Sequence, residues 1–340
     1  MDDIEPAPDF RADPVERFAT FVQILGRGPG RSRSLSRDEA RSAMELVLGD
    51  QVDPAQLGAF LMLLRYRGED PDEIAGLVEA VRAAIGAGRS PGGEPTVMLD
   101  WPSYGAGRTR AAPWFLQAAL ALSRSGRSVL MHGTNEFSGG MTVADGLRAL
   151  EMPSTTGRRE AIGTAARAGF AYLPVAALCP AVAALLGMRR LFGLRSPINT
   201  VGRLLDPADA MASVDGVFHP PYIEVHLSVA ERLDRRSLLV LKGGGGEAER
   251  NGAKETTVFL TRREHGRSEL PLPVLGPAAP RGEPVDADRF RAVWEGAEAP
   301  EPVVATIIGT VAIGLLALDT DLDPGDADEM ARTIWARRHG

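Results

Sequence analysis

A chain of 340 residues with 44% hydrophobic side chains can bury a large core and divide into more than one compact unit. Its single cysteine, Cys179, excludes an intrachain disulfide, and no cysteines stand at metal-ligand spacing. A net charge of −7 argues against long nucleic acid held by overall charge. Yet arginines recur through the middle, from Arg108 and Arg110 to Arg189, Arg190, Arg195 and Arg203, leaving room for a local basic face.

The opening MDDIEPAPDF is acidic and has neither a basic leader nor an apolar signal core. Asp13-Pro14 then starts a helix. SLSRDEARSAMELVLG predicts a second, with Ser36 as N-cap, Glu39 in the capping-box position and Gly49 at its end. VDPAQLGAFLMLLRYRG and EDPDEIAGLVEAVRAAIGAG predict two more, each with proline in the first turn and apolar residues at three- and four-residue steps. Four short helices account for residues 14–88.

Beyond the linker RSPGGEP the texture changes. TVMLDW reads as a strand, APWFLQAALALSRSG as a helix and RSVLMHG as a second strand, the βαβ order of a parallel sheet with helical cover. RSLLVLKGGGG predicts a strand ending in four glycines, and residues 255–263 another strand. Residues 264–300 read as an irregular excursion with one short helix near Asp286–Trp294. Val303–Leu318 is about a turn short of a bilayer crossing and reads as a buried helix; an amphipathic helix follows. The expectation is a cytoplasmic protein without a membrane span, a small α-helical domain joined to a larger α/β domain.

Four loops carry candidate chemistry. DWPSYGAGRTR links a strand to a helix, so Ser103, Tyr104, Gly105, Gly107 and Arg108 read either as an anion site or as a plain turn. It has neither a GxGxxG nor a P-loop ending. MHGTNEFSGG places His132, Gly133 and Asn135 at a strand's C-terminal end, where open α/β sheets bind ligands; a structural histidine is the alternative. MRRLFGLRSPINTVGRLLDP can aim Arg195, Asn199 and Arg203 at one anion, or brace a loop. In KGGGGEAERNG, Lys242, Gly243 and Gly244 read as an oxyanion nest or as a flexible turn, with Glu247 a candidate polar or metal ligand.

In this order the segments resemble glycosyltransferase family 3, the anthranilate phosphoribosyltransferase-like group, across nearly the whole chain. LRYRGEDPDEIAGLVEAVR resembles its helical-domain signature, VLMHGTNEFSGG its lysine-histidine-glycine-asparagine segment, and RRLFGLRSPINTVGRLLDP its arginine-bearing acceptor segment. The resemblance implies the two-domain architecture shared with nucleoside phosphorylase-like proteins. It implies a helical domain over 1–88 and an α/β domain over 89–340, with later helices returning to the small one. It also implies a homodimer through the helical domain. A phosphorylated ribose or nucleotide would bind between the domains, at Gly105, Gly107 and the His132-Gly133 loop, with an acceptor carboxylate at Arg190. Magnesium would sit beside Glu247, if transferase activity is retained.

The departures are specific. No aspartate stands in Ser103–Arg108, Met131 and Thr134 replace the lysine and asparagine, and the acidic pair is reduced to Gly246-Glu247. Lost cations and carboxylates weaken the electrostatics that phosphoribosyl transfer needs. No catalytic residue is assigned, and a standard anthranilate phosphoribosyltransferase is not expected. PSYGAGR and the lysine-glycine segment are most similar to the divergent YbiB-like branch. That branch implies the alternative, a non-enzymatic protein binding single-stranded DNA or RNA without sequence preference.

Overall fold

The computed structural model of the protein describes residues 12–28, 30–87, 95–105, 112–134, 136–279 and 285–340. Four helices come first: α1 (Pro14–Gly26), α2 (Arg37–Leu48), α3 (Pro54–Arg67) and α4 (Pro71–Ala84). Three begin with Asp-Pro, and each aspartate accepts from the main-chain N–H two residues on: Asp13 from Val15, Asp53 from Ala55 and Asp70 from Asp72. The proline supplies a preset φ where a missing N–H costs nothing. Helix α2 has the full Ser36–Glu39 capping box that its sequence predicts.

The α/β part runs β1 (Leu99–Ser103), α5 (Trp114–Arg124), β2 (Val129–Gly133), α6 (Val143–Ala149), α7 (Arg158–Ala168) and β3 (Phe170–Pro174). Short helices α8 (Val175–Leu178), α9 (Pro180–Gly187), α10 (Arg189–Phe192) and α11 (Ile198–Arg203) lead to β4 (Ala212–Val217), α12 (Pro221–Arg232) and β5 (Ser237–Lys242). After a 3-10 turn at Gly244–Gly246 come β6 (Thr256–Arg262), β7 (Gly266–Leu272), α13 (Ala287–Glu295), α14 (Glu301–Leu318) and α15 (Pro324–Ala336).

The strands form one sheet in the order β3-β2-β1-β4-β5-β6-β7, parallel through β5 and antiparallel beyond. Three strands escape the sequence reading. FAYLP and ASVDGV are short and almost wholly buried, so they show no two-residue alternation, and the aspartate and glycine of ASVDGV are poor strand formers. GRSELPL lies at the edge with only Leu272 buried, and its polar composition reads as a loop.

One hydrophobic cluster fills each face of the sheet. The first joins α1–α4 to α8, α9, α11 and α12, so Leu77 and Val78 of α4 share a core with Val201 and Leu227. Packing therefore does not stop at residue 88. The second gathers α5, α6, α13, α14 and α15, including Phe115, Phe290, Ile307 and Trp335. Helix α14 passes a length and apolarity test for a membrane span, but 67% of it is buried within the fold.

The parallel strands end in register, with Ser103 beside Gly133, Gly133 beside Pro174, and Val217 beside Lys242. Strand order reverses direction between β1 and β4, which opens the crevice where sheets of this kind take ligands.

Candidate functional site

Glu247 fills that crevice. Its Oε1 accepts the main-chain N–H of Gly105, just past β1, over 2.7 Å, and the residue is 2% exposed. A Cβ on Gly105 would lie 2.2 Å from that oxygen; one on Gly216 of β4 would lie 2.0 Å from the Glu247 carbonyl carbon, and one on Gly243 1.6 Å from its carbonyl oxygen. Three glycines from three strand ends thus make room for one glutamate. Glu249 behaves similarly: Oε2 accepts from Phe115 N in the first turn of α5 at 2.9 Å. Gly243 is accounted for by this packing, whereas Gly244 is exposed with open space around it. Lys242 is exposed at the end of β5.

His132 is held between Tyr104 and Asp100. It is fully buried, with Nδ1 3.0 Å from Tyr104 Oη and Nε2 3.2 Å from Asp100 Oδ1; Ser213 Oγ donates to Asp100 Oδ2 at 3.2 Å. Burial raises the Tyr104 hydroxyl well above its ordinary range. Burial and these partners fit the structural-histidine alternative. Gly133 (φ 149°) lets β1 and β2 close up: a Cβ would lie 1.9 Å from Ser103 O, which accepts from Thr134 N. Ser103 is fully buried at the strand end. Gly107, Arg108 and Asn135 lie outside the described residues.

The open space lies beside this plugged crevice. A cleft of about 320 Å³ runs between the end of α3 and the wall made by α10, α11 and the start of α12. Arg65, Arg189, Arg195 and Arg203 line it, with Glu69, Asn199, His219, Tyr222 and His226. Arg203 is committed to structure: its guanidinium donates to the carbonyls of Gly246 (2.9 Å), Gly216 (3.2 Å) and Asn199 (3.3 Å), tying α11 to the glycine turn. Arg195 has no hydrogen bond or ion pair among the described residues. Burial and then Arg189, Arg203 and Arg65 hold its pKa below the usual guanidinium value.

The segment's other arginines divide. Arg189 lines the cleft and lies over the Phe137 ring at 4.8 Å. Arg190 is exposed, pairs with Glu136 and does not line the cleft. Adjacent residues on a helix point about 100° apart, so only one of the two can face the opening. Asn199 lines the cleft and donates through Nδ2 to Ser196 O at 3.1 Å.

Sequence reasoning missed the opposite wall. Tyr222 Oη accepts from Arg65 Nη1 at 2.5 Å and donates to Glu69 Oε1 at 3.1 Å. Burial raises the Glu69 carboxyl above its usual range. His226, one turn after Tyr222, has Nδ1 2.7 Å from the buried Asp215 Oδ2. Tyr222 and His226 stand at i and i+4 of α12, a spacing that signals a shared face, while Glu69 lies beyond the end of α3, after Gly68.

Glu247 and Glu249 are the carboxylates beside the glycine turn that would hold magnesium together with a ligand's phosphates. Glu247 and Glu249 each have an oxygen taken by a main-chain N–H. Among the described residues no three histidines, cysteines or acids are placed to hold a metal.

Comparison with known proteins follows the same outline. The helical bundle domain of a glycosyl transferase family matches residues 20–85 and the a/b domain of that family residues 115–272. The anthranilate phosphoribosyltransferase of Sinorhizobium medicae is 30% identical over 214 residues, 62% of each chain, so the match spans less than two thirds of that enzyme. That of Thermomicrobium roseum is 28% identical over 310 residues, 88% of each chain. The crystal structure of the Thermus thermophilus anthranilate phosphoribosyltransferase shares the fold with a TM-score of 0.73 at 24% identity, over 96% of this chain and 95% of that one. The Saccharomyces cerevisiae enzyme in complex with PRPP and Mg gives 0.74 at 15% identity, over 95% and 94%. With both domains matched in the same order, and the fold shared from end to end, the chain belongs to glycosyl transferase family 3.

Proposed function

We propose that this protein binds a phosphorylated ribose or a nucleotide in the cleft between its helical and α/β parts, as a phosphoribosyltransferase-like protein rather than a standard anthranilate phosphoribosyltransferase. The observation that carries this is Arg195, half-buried, crowded by Arg65, Arg189 and Arg203, and without an acidic partner among the described residues. An uncompensated guanidinium facing a cleft favours an anion with several oxygens. Asn199, His219 and Tyr222 add hydrogen-bonding groups for a sugar. The yeast relative in complex with PRPP supports the ligand class, and the altered loops argue against the family's usual transfer. Isothermal titration with ribose 5-phosphate tests the assignment: wild-type protein binds it, Arg195→Ala weakens binding by at least about tenfold, and no binding by the wild type would end it.

A second reading, a nucleic-acid-binding protein of the YbiB-like branch, is favoured by the group of Arg124, Arg337 and Arg338 around Trp294. Anisotropy with single-stranded DNA over a salt series separates the two, because phosphate-backbone binding falls steeply with salt. A homodimer through the helical domain is supported by Tyr66 of α3, which is 90% exposed; sedimentation of a Tyr66→Glu variant tests it.

A further inference from the structure

The family resemblance implies a phosphorylated ligand at the glycine-lined end of the crevice beside the cleft, at Gly105. In this chain that end is already filled. Glu247 Oε1 sits on the Gly105 N–H at 2.7 Å, and Glu249 Oε2 on the Phe115 N–H at 2.9 Å. Oriented main-chain amides of this kind otherwise recruit phosphate oxygens. Gly105 is shaped around the carboxylate itself, where a Cβ would lie 2.2 Å from Oε1, while Gly216 and Gly243 make room for the main chain of Glu247, at 2.0 and 1.6 Å. Arg203, which reaches the same turn, spends its donors on the carbonyls of Gly246, Gly216 and Asn199. A diphosphate entering here would have to expel a seated carboxylate and stand beside a second one. On the other side of the cleft, Arg189 and Arg195 face the opening, beside Arg65, which is held by Tyr222 and Glu69.

We propose that Glu247 is a specificity residue that closes the glycine end to diphosphate, so that the ligand is a ribose or nucleoside monophosphate whose single phosphate is held by the arginine side. This rests on the phosphorylated-ribose reading above and narrows it. It also reverses the role that the resemblance gives Glu247: the carboxylate is a fixed part of the wall, and its removal opens a site instead of destroying one.

The test is calorimetric titration of ribose 5-phosphate and of inorganic diphosphate, each with and without Mg2+, into the wild type, Glu247→Gln and Glu247→Ala. Thermal melts check that each variant folds. The wild type is expected to bind ribose 5-phosphate, to ignore diphosphate and to be indifferent to Mg2+. Glu247→Ala gains diphosphate affinity by at least about tenfold, while Glu247→Gln, which keeps an acceptor for Gly105 N–H but loses the charge, gains less. If Glu247→Ala does not fold, the gain in Glu247→Gln decides alone. Wild-type protein that binds diphosphate in Mg2+, and loses it on substitution of Glu247, overturns the proposal. If the wild type binds neither probe, the monophosphate assignment falls together with the phosphorylated-ribose reading. A gain of diphosphate binding in the variants would then still establish the closing role of Glu247, and no gain would overturn that as well.

Discussion

Nδ1 of His226 lies 2.7 Å from Oδ2 of Asp215, both side chains almost wholly buried where β4 meets α12. The carboxylate fixes the ring beside the cleft. Asp215→Ala leaves a buried imidazole nitrogen without a partner, and chemical denaturation should show a loss of about 1–3 kcal/mol. Asp215→Asn, which retains a hydrogen-bonding oxygen, should lose less; equal losses would mean that the contact is incidental.

Glu73 gives the fold a pH dependence. Burial pushes its carboxyl from 4.5 up to about 7, although Oε1 accepts from Leu35 N at 2.8 Å. Because the folded state holds this proton to higher pH than the unfolded chain, its contribution is most favourable below pH 4.5 and declines as pH rises towards 7. Glu73→Gln should match the wild type near pH 4.5 and exceed its stability by about 3 kcal/mol at pH 8. A parallel pair of stability–pH curves would refute it.

Arg250 is fully buried and donates to Asp328 Oδ1 at 2.6 Å and to Pro273 O at 2.7 Å, tying α15 to the end of β7. Breaking a buried pair strands a charge, so Asp328→Asn should cost about 3–5 kcal/mol. Replacing both partners, as Arg250→Met with Asp328→Leu, should cost less than either single change. Urea midpoints for Asp328→Asn, Arg250→Met, Asp328→Leu and the double variant check this.

The cleft separates two neighbouring arginines. Arg189→Ala should weaken ribose 5-phosphate binding by about 10-fold or more, while Arg190→Ala, which removes only an exposed pair with Glu136, should change it by less than about twofold. The reverse order would relocate the anion site.

What the sequence made legible follows from where local signals are strong. Asp-Pro at helix starts, the Ser36–Glu39 box and the glycine after each helix are decided within a few residues, and those helices form as read. Strands β3 and β4 are defined by neighbours distant in sequence, so FAYLP and ASVDGV offer no local pattern. The same limit applies at the site. Glycine-rich loops were visible, but Glu247 as the group they surround lies 142 residues from Gly105. Arginines 189 and 190 look alike until a helix turns one to the cleft and the other to solvent.

The outer strand β7 has a consequence for behaviour at high concentration. Its solvent-facing run carries Arg267, Glu269 and Pro271, and Arg267 is pinned back by Glu224 and Glu231 of α12 at 2.7 and 2.6 Å. An added strand from another molecule would meet a ring without an amide hydrogen and charges already engaged elsewhere. This margin of the sheet is thereby protected from templating fibrils or edge-to-edge polymers.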